Sequence, residues 1–313
     1  MAKAVRFPEI GGPEVLRVDE IPDPVAGPGE ITVRVEAAGV NPLDRKLRSG
    51  VRPLDPDRAP HRTGADGAGT VTGVGDGVDG FRVGDPVAFA DAAGAYATDV
   101  AVSAASAFLR PEGVSAAQGA ALGIPAGTAY QALRSLGVGD GDTLLVHGGS
   151  GAVGQFAVQF AVLFGARVIA TTSDARAERV RDLGGEPVRY GEGLVGRVRD
   201  AAPDGVTAIL DCVGTDEALS ASLELLDDGS RIATIVMGAR AAELGIRAFS
   251  GGSPEPLTAQ QLAWRREALP VSLALIAAGY LDVEIGEAFP LERAGDAQTA
   301  NERGAHGKLL IVP

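Results

Sequence analysis

Three glycines, Gly149, Gly151 and Gly154, stand in the spacing G-x-G-x-x-G inside the segment TLLVHGGSGAVGQFAVQFAVLFGARVIATTS. The apolar run before them has the length of a buried strand, the run after them repeats at helical spacing, and another strand-like run follows. In a strand-turn-helix-strand setting each glycine has a steric task. Gly149 permits the tight turn, Gly151 lets the backbone approach a pyrophosphate, and Gly154 lets helix and strand pack closely. The unpaired N–H groups of the first helical turn, with the positive end of the helix dipole, then face the phosphates. Without the neighbouring strands the spacing would say little in a chain of 44 glycines, and a ligand-free turn would be the simpler reading.

The residue that ends the second strand selects the dinucleotide. An acid there bonds the ribose 2′-hydroxyl, whereas a nearby Arg accommodates a 2′-phosphate. The sequence is TTSDARAER, with Ser173 where the acid is expected and Arg176 three residues later. This predicts NADPH. Asp174 keeps a 2′-hydroxyl open as the alternative if the turn is shifted by one residue, and Arg176 could also be a solvated helix-face charge.

These residues need elements to hold them. Up to about residue 121 the chain runs as short alternating segments (KAVRF, EVLRVDEI, ITVRVEAAGV, GTVTGVG, PVAFA, ATDVAV) broken by Gly, Pro and Asp. That pattern predicts a mostly antiparallel, partly barrel-like β domain. From residue 122 helices over 128–136, 153–164, 175–183 and 217–226 alternate with the strands TLLVH, RVIATT, PVRY, AILDCVG and RIATIV. Apolar strands alternating with helices predict a doubly wound parallel sheet, the α/β Rossmann arrangement. A helix near 262–278, the alternating DVEIGEAF and a last strand KLLIVP return to the character of the beginning. The expected division is therefore 1–121 with 270–313 as a β-rich catalytic domain, and 122–269 as the dinucleotide-binding domain.

Composition bounds the rest. A chain of 313 residues with a net charge of −13 argues against a nucleic-acid partner, so any phosphate must be held locally. No stretch approaches the roughly 20 apolar residues of a membrane span, and the first residues alternate instead of forming a signal peptide, so a cytoplasmic location is expected. The single cysteine, Cys212, makes an internal disulfide or a Cys-rich zinc site impossible.

Residues 37–50, AAGVNPLDRKLRSG, are similar to the GVNPxDxxxRxG signature of the zinc-independent quinone oxidoreductases of the medium-chain dehydrogenase/reductase superfamily. TGADGAG, FRVGDPVAF, GIPAGTAYQAL, HGGSGAVG, DCVG and the terminal GKLLIV follow in the family's order, so the resemblance spans nearly the whole chain. It implies a GroES-like first domain and hydride transfer from NADPH to a small electrophilic substrate, a quinone or an α,β-unsaturated carbonyl. Two alternatives stay open: an enoyl reductase using the same site, and a non-catalytic NADPH-binding sensor or structural protein. The resemblance places Asn41 and Thr128 beside the nicotinamide, and the cofactor against Gly149, Ser150, Gly151, Ala152, Val153, Gly154, Ser173, Arg176, Tyr190 and Val213. From the residues alone, Asn41 could be a turn residue before Pro42 and Thr128 the start of a helix. Zinc-dependent relatives carry Cys where Asn41 stands and His where Ala65 stands, and neither replacement is a zinc ligand. Val51 stands where some bacterial members have Tyr, which implies a more apolar pocket. Lys308 matches a lysine of the family's last strand, but a strand-end charge is expected to face solvent. His147 is expected to be structural; His61 is expected at the surface, or else as a proton donor. A homodimer is expected from family habit and from an apolar RIATIV strand at a sheet edge.

Overall fold

The structure is a computed structural model that describes residues 1–54, 59–249 and 255–313. The first elements are strands β1 (Ala2–Phe7), β2 (Arg17–Ile21) and β3 (Glu30–Gly39), then helix α1 (Pro42–Arg48). Next come β4 (His61–Arg62), β5 (Asp66–Val74), β6 (Pro86–Phe89), β7 (Asp99–Ser103) and β8 (Ala107–Leu109), then α2 (Ala116–Ala120) and α3 (Gly123–Leu136). The middle alternates: β9 (Thr143–His147), α4 (Ala152–Leu163), β10 (Arg167–Thr172), α5 (Ala177–Asp182), β11 (Glu186–Arg189) and α6 (Leu194–Ala201). It continues through β12 (Ala208–Asp211), α7 (Asp216–Leu225), β13 (Ile232–Thr234), α8 (Gly238–Ala241) and β14 (Arg247–Ala248). The chain closes with α9 (Ala259–Ala277), β15 (Ile285–Pro290), α10 (Ala294–Glu302) and β16 (Lys308–Val312). Two compact units result: Met1–Ile124 with Leu269–Pro313, and Pro125–Ala268.

In the first unit a seven-stranded sheet runs in the order β15-β16-β3-β5-β6-β8, with β7 paired to β3, beside a three-stranded sheet β2-β1-β4. Every pairing but that of β15 with β16 is antiparallel. The alternation in β3 explains its orientation: Ile31, Val33 and Val35 enter the core while Arg34 and Glu36 face water. Val71, Val87, Phe89, Leu309 and Ile311 meet them there, so the last strand of the chain helps fill the same core as the third.

In the second unit all strands are parallel, in the order β11-β10-β9-β12-β13-β14. With β9 taken as the first strand, this is the order 3-2-1-4-5-6 of a dinucleotide-binding sheet. The order reverses beside β9, and a doubly wound sheet takes its ligand at such a point, outside the carboxyl ends of the strands, here β9 and β12. Strands covered on both faces explain the apolar runs: Leu144, Leu145 and Val146 of β9 and Ile209 and Leu210 of β12 are all fully buried.

Two expectations are corrected. Helix α3 begins at Gly123, not at residue 128, because Pro125 lies in its first turn, where a missing N–H costs nothing. Thr128 is therefore inside the helix. Of RIATIV only Ile232–Thr234 is strand, and β14 pairs with its far side through Ala233 and Thr234, so this strand is not a sheet edge. The expected two-fold pairing through it loses its basis. Helices α1, α2, α6, α8 and α10 escaped the sequence reading because they are short, and all but α2 are interrupted by charges. Among the described residues no helix is long and apolar enough to cross a membrane.

Phe160 of α4 is 1% exposed, with its ring 5.2 Å from Tyr130 of α3 and 6.2 and 6.3 Å from Phe156 and Phe164. Phe160→Ala should cost about 3 to 5 kcal/mol of unfolding free energy. Chemical denaturation checks this, and a loss below about 1 kcal/mol would mean that the cavity collapses.

Candidate active site

β9 ends at His147, and the chain reverses at Gly148, whose φ of +79° favours glycine. The turn expected of Gly149 thus belongs to its neighbour. Gly149 is needed for space instead, since a Cβ there would lie 2.5 Å from the Cβ of Ala170 on β10. Gly151 is the N-cap of α4 in extended conformation. A Cβ on Gly154 would meet the Gly148 carbonyl oxygen at 2.1 Å, so α4 starts directly on the loop backbone. Ala152 and Val153 open the helix, where backbone N–H groups lack intrahelical acceptors. Ser150 is fixed from both sides: the Thr172 hydroxyl donates to its Oγ at 2.9 Å, and Gln155 Nε2 donates to its carbonyl at 3.0 Å. Val213 lies against Gly148, where a Cβ would meet its Cγ1 at 2.5 Å, yet it remains 42% exposed. The result is a preformed cradle of backbone donors suited to an anion.

The loop after β12 is held by Asp211, which is fully buried. Its carboxylate accepts from the N–H groups of Val213 and Gly214 at 3.0 and 2.9 Å and from the Thr234 hydroxyl at 2.7 Å. His147 on the neighbouring strand is buried too, and burial pushes its pKa down to about 4, so at neutral pH it is an uncharged part of the interior. His61 pairs with Phe7 across β1 and β4, with the two rings 5.3 Å apart.

At the end of β10, Ser173 caps a short 3-10 turn, Asp174–Arg176, that leads into α5. Asp174 is exposed and pairs with Arg189 at 3.2 Å, a partner that the sequence reading missed. Arg176 is half-buried, and Tyr190, next after Arg189, is 53% exposed, so its ring is not core packing. Because Thr172 and Arg189 are register partners, the residues after β10 and β11 share one end of the sheet. Thr128 is buried within α3, with Arg265 Nη2 at 3.4 Å from its hydroxyl.

The first unit holds a second constellation. Asn41 caps α1, with Pro42 as the first helical residue, and its backbone N–H donates to Asp44 at 2.8 Å. Its side-chain Nδ2 donates to the Gly39 carbonyl at 3.2 Å and to Asp66 Oδ2 at 2.9 Å, while its Oδ1 accepts from Lys308 Nζ at 2.5 Å. Both amide hydrogens are engaged and the residue is 1% exposed, so in this arrangement Asn41 organises its neighbours and has no N–H left for a substrate. Lys308 does not face solvent as its strand-end position suggests; it is 5% exposed. Burial lowers its pKa against the opposing pull of Asp66 and Asp44. Burial raises the Asp66 pKa; its Oδ2 also accepts from the Ile124 N–H at 2.9 Å, and its buried Oδ1 has no hydrogen-bond partner among the described residues. Burial raises Asp44 as well, to about 6, although hydrogen bonds from the Asn41 N–H and, at 2.9 Å, from the Tyr96 hydroxyl oppose the shift. Arg48 anchors the far end of α1, donating to Gln298 at 2.7 Å and to the Gly11 carbonyl at 2.5 Å. The sequence reading missed Asp44, Asp66 and Tyr96; Asp44 alone carried a local signal, the N-x-x-D spacing of a helix start with Asn41.

Two family models match the chain: "Alcohol dehydrogenase GroES-like domain" over residues 27–133 and "Zinc-binding dehydrogenase" over residues 152–262. A quinone oxidoreductase of Sus scrofa is 31% identical over 326 residues, covering 100% of this chain and 98% of the relative. The chain belongs to the quinone oxidoreductase family. Among solved structures, the quinone oxidoreductase of Pseudomonas syringae is similar at a TM-score of 0.86 and 30% identity, with full coverage of both chains. The Escherichia coli quinone oxidoreductase complexed with NADPH is similar at a TM-score of 0.84 and 27% identity, covering 99% of this chain and 100% of that one.

The zinc that the second model's description implies does not fit this member of the quinone oxidoreductase family. Asn41 Oδ1 is held by an ammonium, Ala65 has no donor atom, and Asp44 and Asp66 supply two carboxylates where zinc takes at least three protein ligands. Among the described residues no group of three His, Cys, Asp or Glu could hold a metal ion.

Asp44 gives a pH prediction. Its folded pKa of about 6 lies above the ordinary 3.8, so the folded chain holds this proton more tightly than the unfolded chain does. The associated stability is full below the unfolded value and is lost as pH rises through the folded one. The unfolding free energy of the wild type, relative to Asp44→Asn, should fall by roughly 3 kcal/mol between pH 3 and pH 7, about 2 kcal/mol of it between pH 4 and pH 6. Urea titrations across that range check it; a flat difference would show that Asp44 stays ionised throughout.

Proposed function

We propose that this chain is an NADPH-dependent oxidoreductase that reduces a quinone or an α,β-unsaturated carbonyl without zinc. The observation that carries the reading is the glycine cradle from Gly148 to Gly154, placed where the strand order reverses and built to bring backbone N–H groups against a pyrophosphate. The NADPH complex of the Escherichia coli relative supports the cofactor, as does the basic Arg176 after β10.

NADPH, when bound, supplies a hydride. The N–H groups at Ser150, Ala152 and Val153 would hold its pyrophosphate, with Gly149, Gly151 and Gly154 giving the backbone room to approach it, since the Gly149 and Gly151 N–H groups already donate to the Thr171 and Gly148 carbonyls. Ser173 and Arg176 would hold its 2′-phosphate, and Tyr190 and Val213 would flank its adenosine and nicotinamide halves. Thr128 is proposed to contact the nicotinamide. Asn41 becomes a positioning residue, because its amide is engaged by Gly39, Asp66 and Lys308. Lys308 in turn fixes the Asn41 amide through its Oδ1, and its ammonium is offset by the buried Asp44 and Asp66 carboxylates. Lacking a Lewis acid, such a site suits substrates that are electrophilic already and delocalise the charge they receive.

Steady-state turnover with NADPH and a panel of quinones, enones and enoyl thioesters tests this reading. Quinones or enones should be reduced, NADPH should be preferred to NADH, and prolonged chelation should leave the rate unchanged. Turnover confined to enoyl thioesters would make the chain an enoyl reductase, and binding without any turnover a sensor. Stoichiometric zinc whose removal abolishes activity would overturn the metal-free mechanism.

A further inference from the structure

The turn proposed to hold the 2′-phosphate carries an acid that such a ligand would not tolerate. Asp174 follows Ser173 directly and its side chain is 73% exposed. Left alone, its carboxylate would accept from a ribose 2′-hydroxyl and repel a phosphate, the opposite of what Arg176 favours.

Arg189 changes that balance. It is the last residue of β11 and the register partner of Thr172, so its side chain starts from the strand beside the turn. Its guanidinium reaches Asp174 Oδ2 at 3.2 Å. With both partners mostly exposed, the pair adds little to folding stability. Its effect is on local charge: the Asp174 carboxylate is paired with a guanidinium, and without Arg189 it would stand beside the turn without that cation. The backbone that carries Arg189 is itself braced. Arg197 of α6 donates to the carbonyls of Arg189, Gly191 and Glu192 at 2.9, 2.9 and 2.8 Å, adding a further cation to the loop. In a chain of net charge −13, this local concentration of guanidinium groups is the means of holding an anion.

We propose that Arg189 is a specificity-determining residue: by engaging Asp174 it withdraws the acceptor a ribose 2′-hydroxyl would use and turns this end of the sheet into a 2′-phosphate site shared with Arg176. The proposal rests on the NADPH reading above.

Isothermal titration of wild type, Arg189→Ala, Asp174→Asn and the double variant tests it, using NADPH, NADH, adenosine 2′,5′-bisphosphate and adenosine 5′-phosphate, so that no turnover is required. Arg189→Ala should weaken NADPH and the bisphosphate roughly 5- to 30-fold, the range between a screened surface charge and a charge-assisted hydrogen bond. NADH and adenosine 5′-phosphate should stay within about 3-fold of wild type, since neither carries a 2′-phosphate. Adding Asp174→Asn to Arg189→Ala should recover most of the loss, because the charge that Arg189 opposed is then gone. Equal weakening of both dinucleotides by Arg189→Ala, or no recovery in the double variant, overturns the role of Arg189. A wild type that prefers NADPH and keeps its full preference in Arg189→Ala overturns it as well, leaving the cofactor reading intact. A wild type without preference for NADPH overturns the cofactor reading itself.

Discussion

Lys308 carries its ammonium into a region where Asp44 and Asp66 are both sealed from water, and the three groups can remain there only in one another's company. Desolvating a charge costs several kcal/mol, and withdrawing one partner from a buried set strands the others. The register of the sheet enforces the meeting. Leu310 and Ile311 of β16 pair with Gly39 and Ala38 of β3, and the same antiparallel register sets Lys308 opposite Asn41. A slip of one residue would turn Lys308 to the other face of the sheet and leave two carboxylates buried without a cation. Asn41 then fixes the geometry, its amide bridging β16 to β5 while its backbone starts α1.

The same arrangement bears on the proposal that this chain works without zinc. A metal ion polarises a substrate oxygen through a coordination bond, whereas an ammonium can do so only through field and hydrogen bonding. The Lys308 ammonium is covalently part of the strand and is held by Asn41 and by the packing that makes the core.

Most of the second unit was legible from sequence, and for identifiable reasons. Strands buried on both faces read as continuous apolar runs, and Gly151 and Gly154 announce a turn that steric contact demands. The error at Gly149 arose because spacing alone cannot tell which of two adjacent glycines has the positive φ and which lacks room for a Cβ; the structure gives the first role to Gly148 and the second to Gly149. In the first unit the strands were legible and the site was not. Lys308 was dismissed by a rule that holds for exposed strand ends, and nothing local marks Asp66 or Tyr96, whose partners Asn41 and Asp44 lie 25 and 52 residues away. Interactions across such separations become visible only once the sheet register is known. Arg189 was missed for the same reason, being paired with Asp174 through the adjacency of β10 and β11.

The pairing of β16 with β3 also bears on the order in which the chain acquires its form during synthesis. Pro125–Ala268 is continuous, and all its strands pair within it, so it has everything it needs once that stretch has left the ribosome. Residues 1–124 do not: β7 covers Glu30–Arg34 of β3, but Ala38 and Gly39 on that edge stay unpaired until β16 arrives, and the bond from Lys308 to Asn41 spans 267 residues. Translation therefore delivers the middle of the chain to its native state before the beginning, and the nascent first unit waits with the Ala38–Gly39 end of β3 unpaired on that edge and two carboxylates lacking their cation. A chaperone that shields that edge would act on the part of the protein made earliest and completed last.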